Sequence, residues 1–280
     1  MAEHHPHTHK HGAQHGHGHD YAAANKQYFD ENIDMFERPD IVDATQRIAA
    51  AMRAVCERLQ RREYDRARLC VRRRYVSLQA SSRRMKTMWL TIPHYLAGLI
   101  SRELSPHVKS IFGVDISQRV VDQYNLLASK HELSDKLKAS CVELKADGRI
   151  GNSTKQFDIV LVRDVSDALY VDSPELLQCT MAYHHFGNPE DVTKILASFV
   201  KPGGSLLVVD ILANNNKADV GLGDKHRDTV PHQGGFDEDR MKDMVTAAGL
   251  VDFEMGELIS GLAIDGHAVT PFLARGVKPL

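Results

Sequence analysis

The chain has 280 residues, 42% hydrophobic and 26% charged, with 35 basic and 37 acidic side chains and a formal net charge of −2. That length buries one substantial core and fits a single α/β domain without requiring a second. The near balance of charge gives no global field for nucleic acid or an anionic membrane, and no run of 18 or more apolar residues offers a membrane span.

Residues 1–20 hold eight histidines, His4, His5, His7, His9, His11, His15, His17 and His19, among Gly, Pro and Gln. This composition has nothing to bury and reads as a disordered tail. Neutral imidazoles there can hold a divalent metal weakly, but without fixed geometry, and no other metal site is expected. Histidines stand where a secretion signal would carry an apolar core, so the expected compartment is the cytoplasm. Cys56, Cys70, Cys141 and Cys179 lack C-x-x-C spacing and read as reduced thiols.

From Tyr21 to Arg58 the pattern is helical, broken at Pro39, with Ile41, Ala44, Ile48, Met52 and Val55 on one face of the second helix. Two helices thus precede the sheet, as a lid over a pocket or as packing on its edge, and Tyr21 and Tyr28 are candidate pocket residues. Residues 59–97 break the pattern, with eight arginines between Arg58 and Tyr75 and no amphipathic order. Aromatics and glycines are not interleaved there, so an RNA-binding arm is not expected. Residues 59–97 and 162–178 read as atypical insertions in a domain spanning 21–280.

Order returns at Gly98. Leu99, Ile100 and Leu104 have helical spacing, Pro106 ends the helix, and the apolar run Val108–Val114 stops at Asp115. In doubly wound folds an acid at that place accepts both ribose hydroxyls of a nucleotide. A helix at Val120–Leu127, strands at Cys141–Leu144 and Phe157–Leu161, and a helix at Pro189–Val200 follow. Next come the turn Lys201-Pro202-Gly203-Gly204, a strand at Ser205–Asp210, a helix at Asp237–Ala248 capped by Gly249, and strands at Val251–Glu254 and Val269–Ala274. Helix and strand alternate, as in a mostly parallel, doubly wound seven-stranded sheet.

The segments FGVDIS, FDIVL, MAYHHF and KPGGSLLVVD, in this order and spacing, resemble the class I S-adenosylmethionine-dependent methyltransferases, in particular the small-molecule branch. The resemblance covers Gly98 to about Pro279 and implies a Rossmann-like methyltransferase fold with S-adenosylmethionine as cofactor. It implies that Asp115 binds the ribose, Ile116 packs on the adenine, Asp147 meets the adenine amino group, and Met181 lines the site beyond the fourth strand. Gly98 is what remains of the family's first motif, a strand and glycine loop reading roughly V-L-D-x-x-C-G-x-G. Pro93-His94-Tyr95-Leu96-Ala97 stands in that place, so the first strand position is expected to be vacant and cofactor binding impaired.

Read one nucleotide later, codons permitted by Glu63–Arg74 allow [N/S]-T-T-V-L-D-[F/Y]-A-C-G-[G/A]-G, the missing strand and loop. The Arg74–Tyr75 junction can spell a GT donor and Ala97–Gly98 an AG acceptor; Val162–Gln178 can likewise begin with GT and end with CAG. A frame change and two retained introns account for both intervals, which are then expected outside the sheet.

The leading function is methyl transfer from S-adenosylmethionine to a small molecule, a chemistry in which alignment dominates and few catalytic side chains are needed. His184 and His185 are the candidate bases, since an imidazole can take a hydroxyl or amine proton as the methyl arrives. Adjacent histidines after a strand also fit packing or capping, and Tyr183 is an alternative wall of the pocket. Two other readings are a nicotinamide-dependent oxidoreductase, which the acid after the second strand also suits, and a catalytically inert scaffold of the same fold.

Overall fold

The computed structural model describes residues 20–72, 88–92, 98–107, 110–142, 176–200, 202–213, 227–264 and 266–280. The histidine-rich stretch up to residue 19, Asp147 and the strand expected at 157–161 lie outside the described residues.

Asp20 starts the first helix, its side chain accepting the Ala23 N–H at 3.0 Å and so satisfying one of the open donors of the first turn. This helix, α1 (Tyr21–Glu31), buries Asn25 and Phe29, four residues apart and hence on one face. A 3-10 turn at Ile33–Glu37 leads to α2 (Pro39–Arg72), whose first residue is proline, tolerated there because that N–H has no helical partner. Ile41, Ala44, Ile48 and Met52 are the buried stripe of α2, as their spacing predicts. The helix does not stop near Arg58 but runs on through the arginine-rich stretch.

Seven strands form the main sheet: β1 (Met88–Ile92), β2 (Ser110–Asp115), β3 (Leu137–Cys141), β4 (Leu176–Thr180), β5 (Ser205–Ile211), β6 (Val251–Glu257) and, after a small hairpin of β7 (Leu262–Ile264) and β8 (His267–Val269), β9 (Pro271–Val277). Their order across the sheet is β3-β2-β1-β4-β5-β9-β6. The first five strands run parallel, and β9 enters antiparallel between β5 and β6. Intervening helices are α3 (Leu99–Leu104), α4 (Gln118–Lys130), α5 (Pro189–Phe199) and α6 (Glu238–Ala247).

Three expectations are corrected. The first strand position is not vacant: Met88–Ile92, from within the interval 59–97, pairs with β2 on one side and β4 on the other. The last residues of the second interval, 176–178, also enter the sheet, because β4 is Leu176–Thr180. A parallel sheet whose neighbouring strands are in place leaves a row of open N–H and C=O groups, and the nearest extended segment pairs with it. The third strand lies at Leu137–Cys141 rather than Cys141–Leu144, with Cys141 in register with Asp115 at its end.

Helices cover both faces of the sheet. On one, α1 to α4 pack Phe29, Ile48, Leu104 and Tyr124 against Ile111, Leu207 and Val209; on the other, α5 and α6 pack Leu196, Phe199, Met241 and Val245 against Val114, Leu206 and Val208. All seven residues of β5 are buried, the pattern of a strand covered on both sides.

Candidate functional site

The parallel strands β1, β2, β4 and β5 end on one edge of the sheet, where chain reversals open a crevice in folds of this kind. Asp115 closes β2; it is 3% exposed and its Oδ1 accepts the Ser117 N–H at 2.8 Å. Ile116 follows, half-buried, its carbonyl 3.4 Å from the Cys141 Sγ. Burial, and then the neighbouring Asp115 charge, push the Cys141 thiol pKa up and keep it protonated. Ser117 caps α4, its Oγ accepting the Val120 N–H, and donates its own proton to Asp30 of α1.

Met181 follows β4 with a φ of +53°, a left-handed conformation costly for a side chain of this size, and is held by its N–H on the Val209 carbonyl at 2.7 Å. The turn Tyr183–His185 comes next, all three side chains buried. Asp210, within β5 and fully buried, anchors this turn. Its carboxylate accepts the Tyr183 N–H at 2.9 Å, the Ile211 N–H at 2.8 Å and the His184 Nδ1–H at 2.8 Å. His185 donates from Nδ1 to the Thr229 carbonyl at 2.8 Å. A carbonyl only accepts, so Nδ1 carries the proton and, in the neutral ring, Nε2 carries the lone pair. The two imidazoles lie 4.2 Å apart, centroid to centroid.

α1 lies across this edge and ties its halves together. Near β2, Asp30 accepts from Ser117 Oγ and pairs with Lys26 at 2.6 Å. Near β4, Asn25 Nδ2 reaches the His185 carbonyl at 3.1 Å, and the Phe29 ring meets the His185 ring edge-on at 5.4 Å. Tyr21 packs against Gly187, where a Cβ would fall 3.2 Å from the ring. Tyr28 is partly buried, edge to face with Phe29 at 5.3 Å.

The structure therefore brings Asp115, Ile116, Met181, His184, His185 and α1 to one edge, with Gly98 at the start of α3. Gly98 has φ +87°, and a Cβ there would lie 2.7 Å from the Tyr124 ring, so its local reasons for being glycine are conformation and packing. Tyr183 is corrected from pocket wall to core residue. Its ring packs with Phe186 and Phe236, and its hydroxyl reaches Thr193 Oγ1 of α5 at 3.1 Å. Burial, with the Cys179 thiol beside it, pushes the Tyr183 phenol far up in pKa. Asp210 and Asn25 were not among the expected site residues. Asp210 had a signal, an acid ending an apolar strand as Asp115 does, whereas a polar residue within a helix carries none.

This strand order, with β9 reversed between β5 and β6 and an acid ending β2, is that of a Rossmann-like methyltransferase. The sequence pattern of a methyltransferase domain family matches residues 97–254, more than half of the chain, and the chain belongs to that family of S-adenosylmethionine-dependent methyltransferases. Over 163 residues it is 31% identical to an uncharacterized methyltransferase of Schizosaccharomyces pombe, covering 56% of this chain and 51% of that protein; the chain spans about half the length of this relative. A solved structure from Nostoc punctiforme, provisionally assigned as an O-methyltransferase, superposes with a TM-score of 0.51 at 14% identity, covering 91% of this chain and 60% of its own. The phosphoethanolamine N-methyltransferase 2 of Haemonchus contortus, solved with S-adenosyl-L-methionine, matches at 12% identity and TM-score 0.46, covering 76% of this chain and 52% of its own. Among the described residues no helix is long and apolar enough to cross a membrane.

Proposed function

We infer that this chain methylates a small-molecule acceptor at the edge where β2, β4 and β5 end, with S-adenosylmethionine held from the β2 side and the acceptor under α1. The cofactor side fits its residues: a buried carboxylate at the end of β2, oriented by Ser117 N–H, offers oxygens for ribose hydroxyls. Ile116 supplies apolar surface for the adenine, and Met181 lies on the path toward β4. Asp147, which follows β3 in the sequence, is the proposed partner of the adenine amino group. When bound, the cofactor supplies an electrophilic sulfonium methyl.

The observation that carries this reading is the His185 Nδ1–H donated to the Thr229 carbonyl, which presents Nε2 as a proton acceptor beside the lid helix. His185 takes the acceptor's hydroxyl or amine proton as its lone pair is alkylated. His184, turned to Asp210, holds the turn in place. α1 shields the site from water and confines the acceptor. The charge balance of the whole chain, at −2, favours a small acceptor over nucleic acid.

Cofactor affinity in this chain is reduced. No glycine occurs between Arg58 and Ala97, and the connection from β1 to α3 carries Pro93 and the single Gly98 where close backbone approach to the methionine moiety is needed. Isothermal titration tests the reading: S-adenosylhomocysteine should bind with micromolar or weaker affinity, NADH should give no heat, and Asp115→Ala should abolish the former. Binding unaffected by Asp115→Ala removes that residue from the site, and no binding at all leaves an inert scaffold.

A further inference from the structure

Asn25 is 1% exposed, on the inner face of α1, and its amide is oriented by two carbonyls. Nδ2 donates to the Tyr21 carbonyl at 2.7 Å and to the His185 carbonyl at 3.1 Å. Exchanging the amide's nitrogen and oxygen would bring an oxygen against two carbonyl oxygens, so the orientation is settled by chemistry. Oδ1 then points elsewhere, buried, with no hydrogen-bond partner among the described residues. A buried acceptor left in that state is costly, and it is a signature of a group completed by a ligand.

The position of this oxygen is informative. Asn25 and Phe29 lie on the same face of α1, and both touch His185, one through its carbonyl and the other through its ring. We propose that Asn25 is a recognition residue for the methyl acceptor, Oδ1 accepting an O–H or N–H of a small molecule bound beside Asn25, at the edge where α1 meets the His185 turn. This rests on the reading of the site given above and adds to it a requirement on the acceptor: a hydrogen-bond donor at the group to be methylated or beside it. An acceptor already fully methylated lacks that donor and is rejected, because Oδ1 would remain buried and unsatisfied.

Matched pairs test this directly. Phenol against anisole, and aniline against N,N-dimethylaniline, are titrated into the full chain with and without S-adenosylhomocysteine, and binding is read by saturation-transfer NMR. Phenol or aniline should bind about five- to tenfold more tightly than its methylated counterpart, the worth of one buried hydrogen bond. Asn25→Leu, which keeps the volume and removes the oxygen, should erase that preference while leaving S-adenosylhomocysteine affinity unchanged. The proposal is overturned if donors and non-donors bind alike, if none of the four binds at millimolar concentration, or if the preference survives Asn25→Leu. A lower melting temperature in Asn25→Leu with unchanged preference also overturns it, by showing that Oδ1 serves the fold. Cofactor titration is read independently, so a failure of S-adenosylhomocysteine to bind counts against the site as a whole and not against the donor preference.

Discussion

Two aspartates at strand ends show how differently a carboxylate is used at this edge. Asp115 Oδ1 accepts the Ser117 N–H at the start of α4, and Asp210, with no solvent exposure, takes two backbone N–H groups and the His184 ring. Asp210→Asn would set an amide NH₂ among donors that need an acceptor, leaving at least one buried donor unmatched. It should destabilise the fold by about 2–4 kcal/mol, measured by urea unfolding. A loss below about 0.5 kcal/mol would show that Asp210 does not anchor the turn. Gly98 makes a second prediction. Gly98→Ala meets both φ +87° and the Tyr124 ring at 2.7 Å and should cost about 2–4 kcal/mol, with part of that loss recovered in a double-mutant cycle with Tyr124→Leu. Of these residues, Asp115 was legible in the sequence because it ends an apolar run just before a helix. Asn25 was not, since nothing in a helical run of polar residues tells which one tertiary contact will bury.

The elements were legible where their signals were local. α4, α5 and α6 carry side-chain caps at Ser117, Asn188 and Asp237, and β5 follows a proline–glycine turn, so these appear within three residues of their expected places. β1 and β4 were not legible, because Met88–Ile92 and Leu176–Thr180 become strands through pairing with partners distant in sequence, and the hairpin β7–β8 is too short to show a period. The helix α1 has a testable property of its own. Partial burial alone would raise the Asp30 pKa, but the hydrogen bonds from Lys26 and Ser117 outweigh it and hold Asp30 below the ordinary carboxylate value. The stabilisation this link contributes is therefore fully present above the unfolded value of about 4 and is lost as pH falls through the lower folded value. Protection of the α1 amides from hydrogen exchange, taken against the intrinsic rate at each pH, should fall below about pH 4, more steeply than that of α4, and Asp30→Asn should flatten the difference. An α1 whose relative protection is the same at pH 3 and pH 6 in both proteins would show that Asp30 does not tie α1 to the start of α4.

At the scale of the whole molecule, the seven-stranded sheet is complete, and the sequence leading from its first strand into α3 holds one glycine, Gly98. Seven strands stand in the methyltransferase order with Met88–Ile92 in the first position, so that slot asks only for an extended apolar segment in reach of β2 and β4. The connection to α3 asks for more, since the backbone must pass close to a ligand, and only glycines leave that room. Codons permitted by Glu63–Arg74 allow, one nucleotide later, a sequence reading as a strand followed by such a loop, and splice signals can bound both 75–97 and 162–178. Two measurements follow. A transcript sequenced across these positions should include messages lacking both intervals, and a message population that always retains them in the present frame removes the intron account. Independently of that origin, a chain in which S-T-T-V-L-D-F-A-C-G-G replaces Glu63–Ala97 and Val162–Gln178 is deleted should keep the sheet, the new T-V-L-D segment replacing Met88–Ile92 in the first position and Phe157–Leu161, joined to Cys179, replacing Leu176–Gln178 in the fourth. Each backbone N–H gained against a charged ligand group contributes about 1.5–3 kcal/mol, so S-adenosylhomocysteine should bind at least tenfold more tightly to that chain than to the present one. Far-ultraviolet circular dichroism should show a similar strand content in both. Equal affinities would mean that Pro93–Gly98 already forms an adequate cofactor loop, and that the missing glycines do not impair this chain.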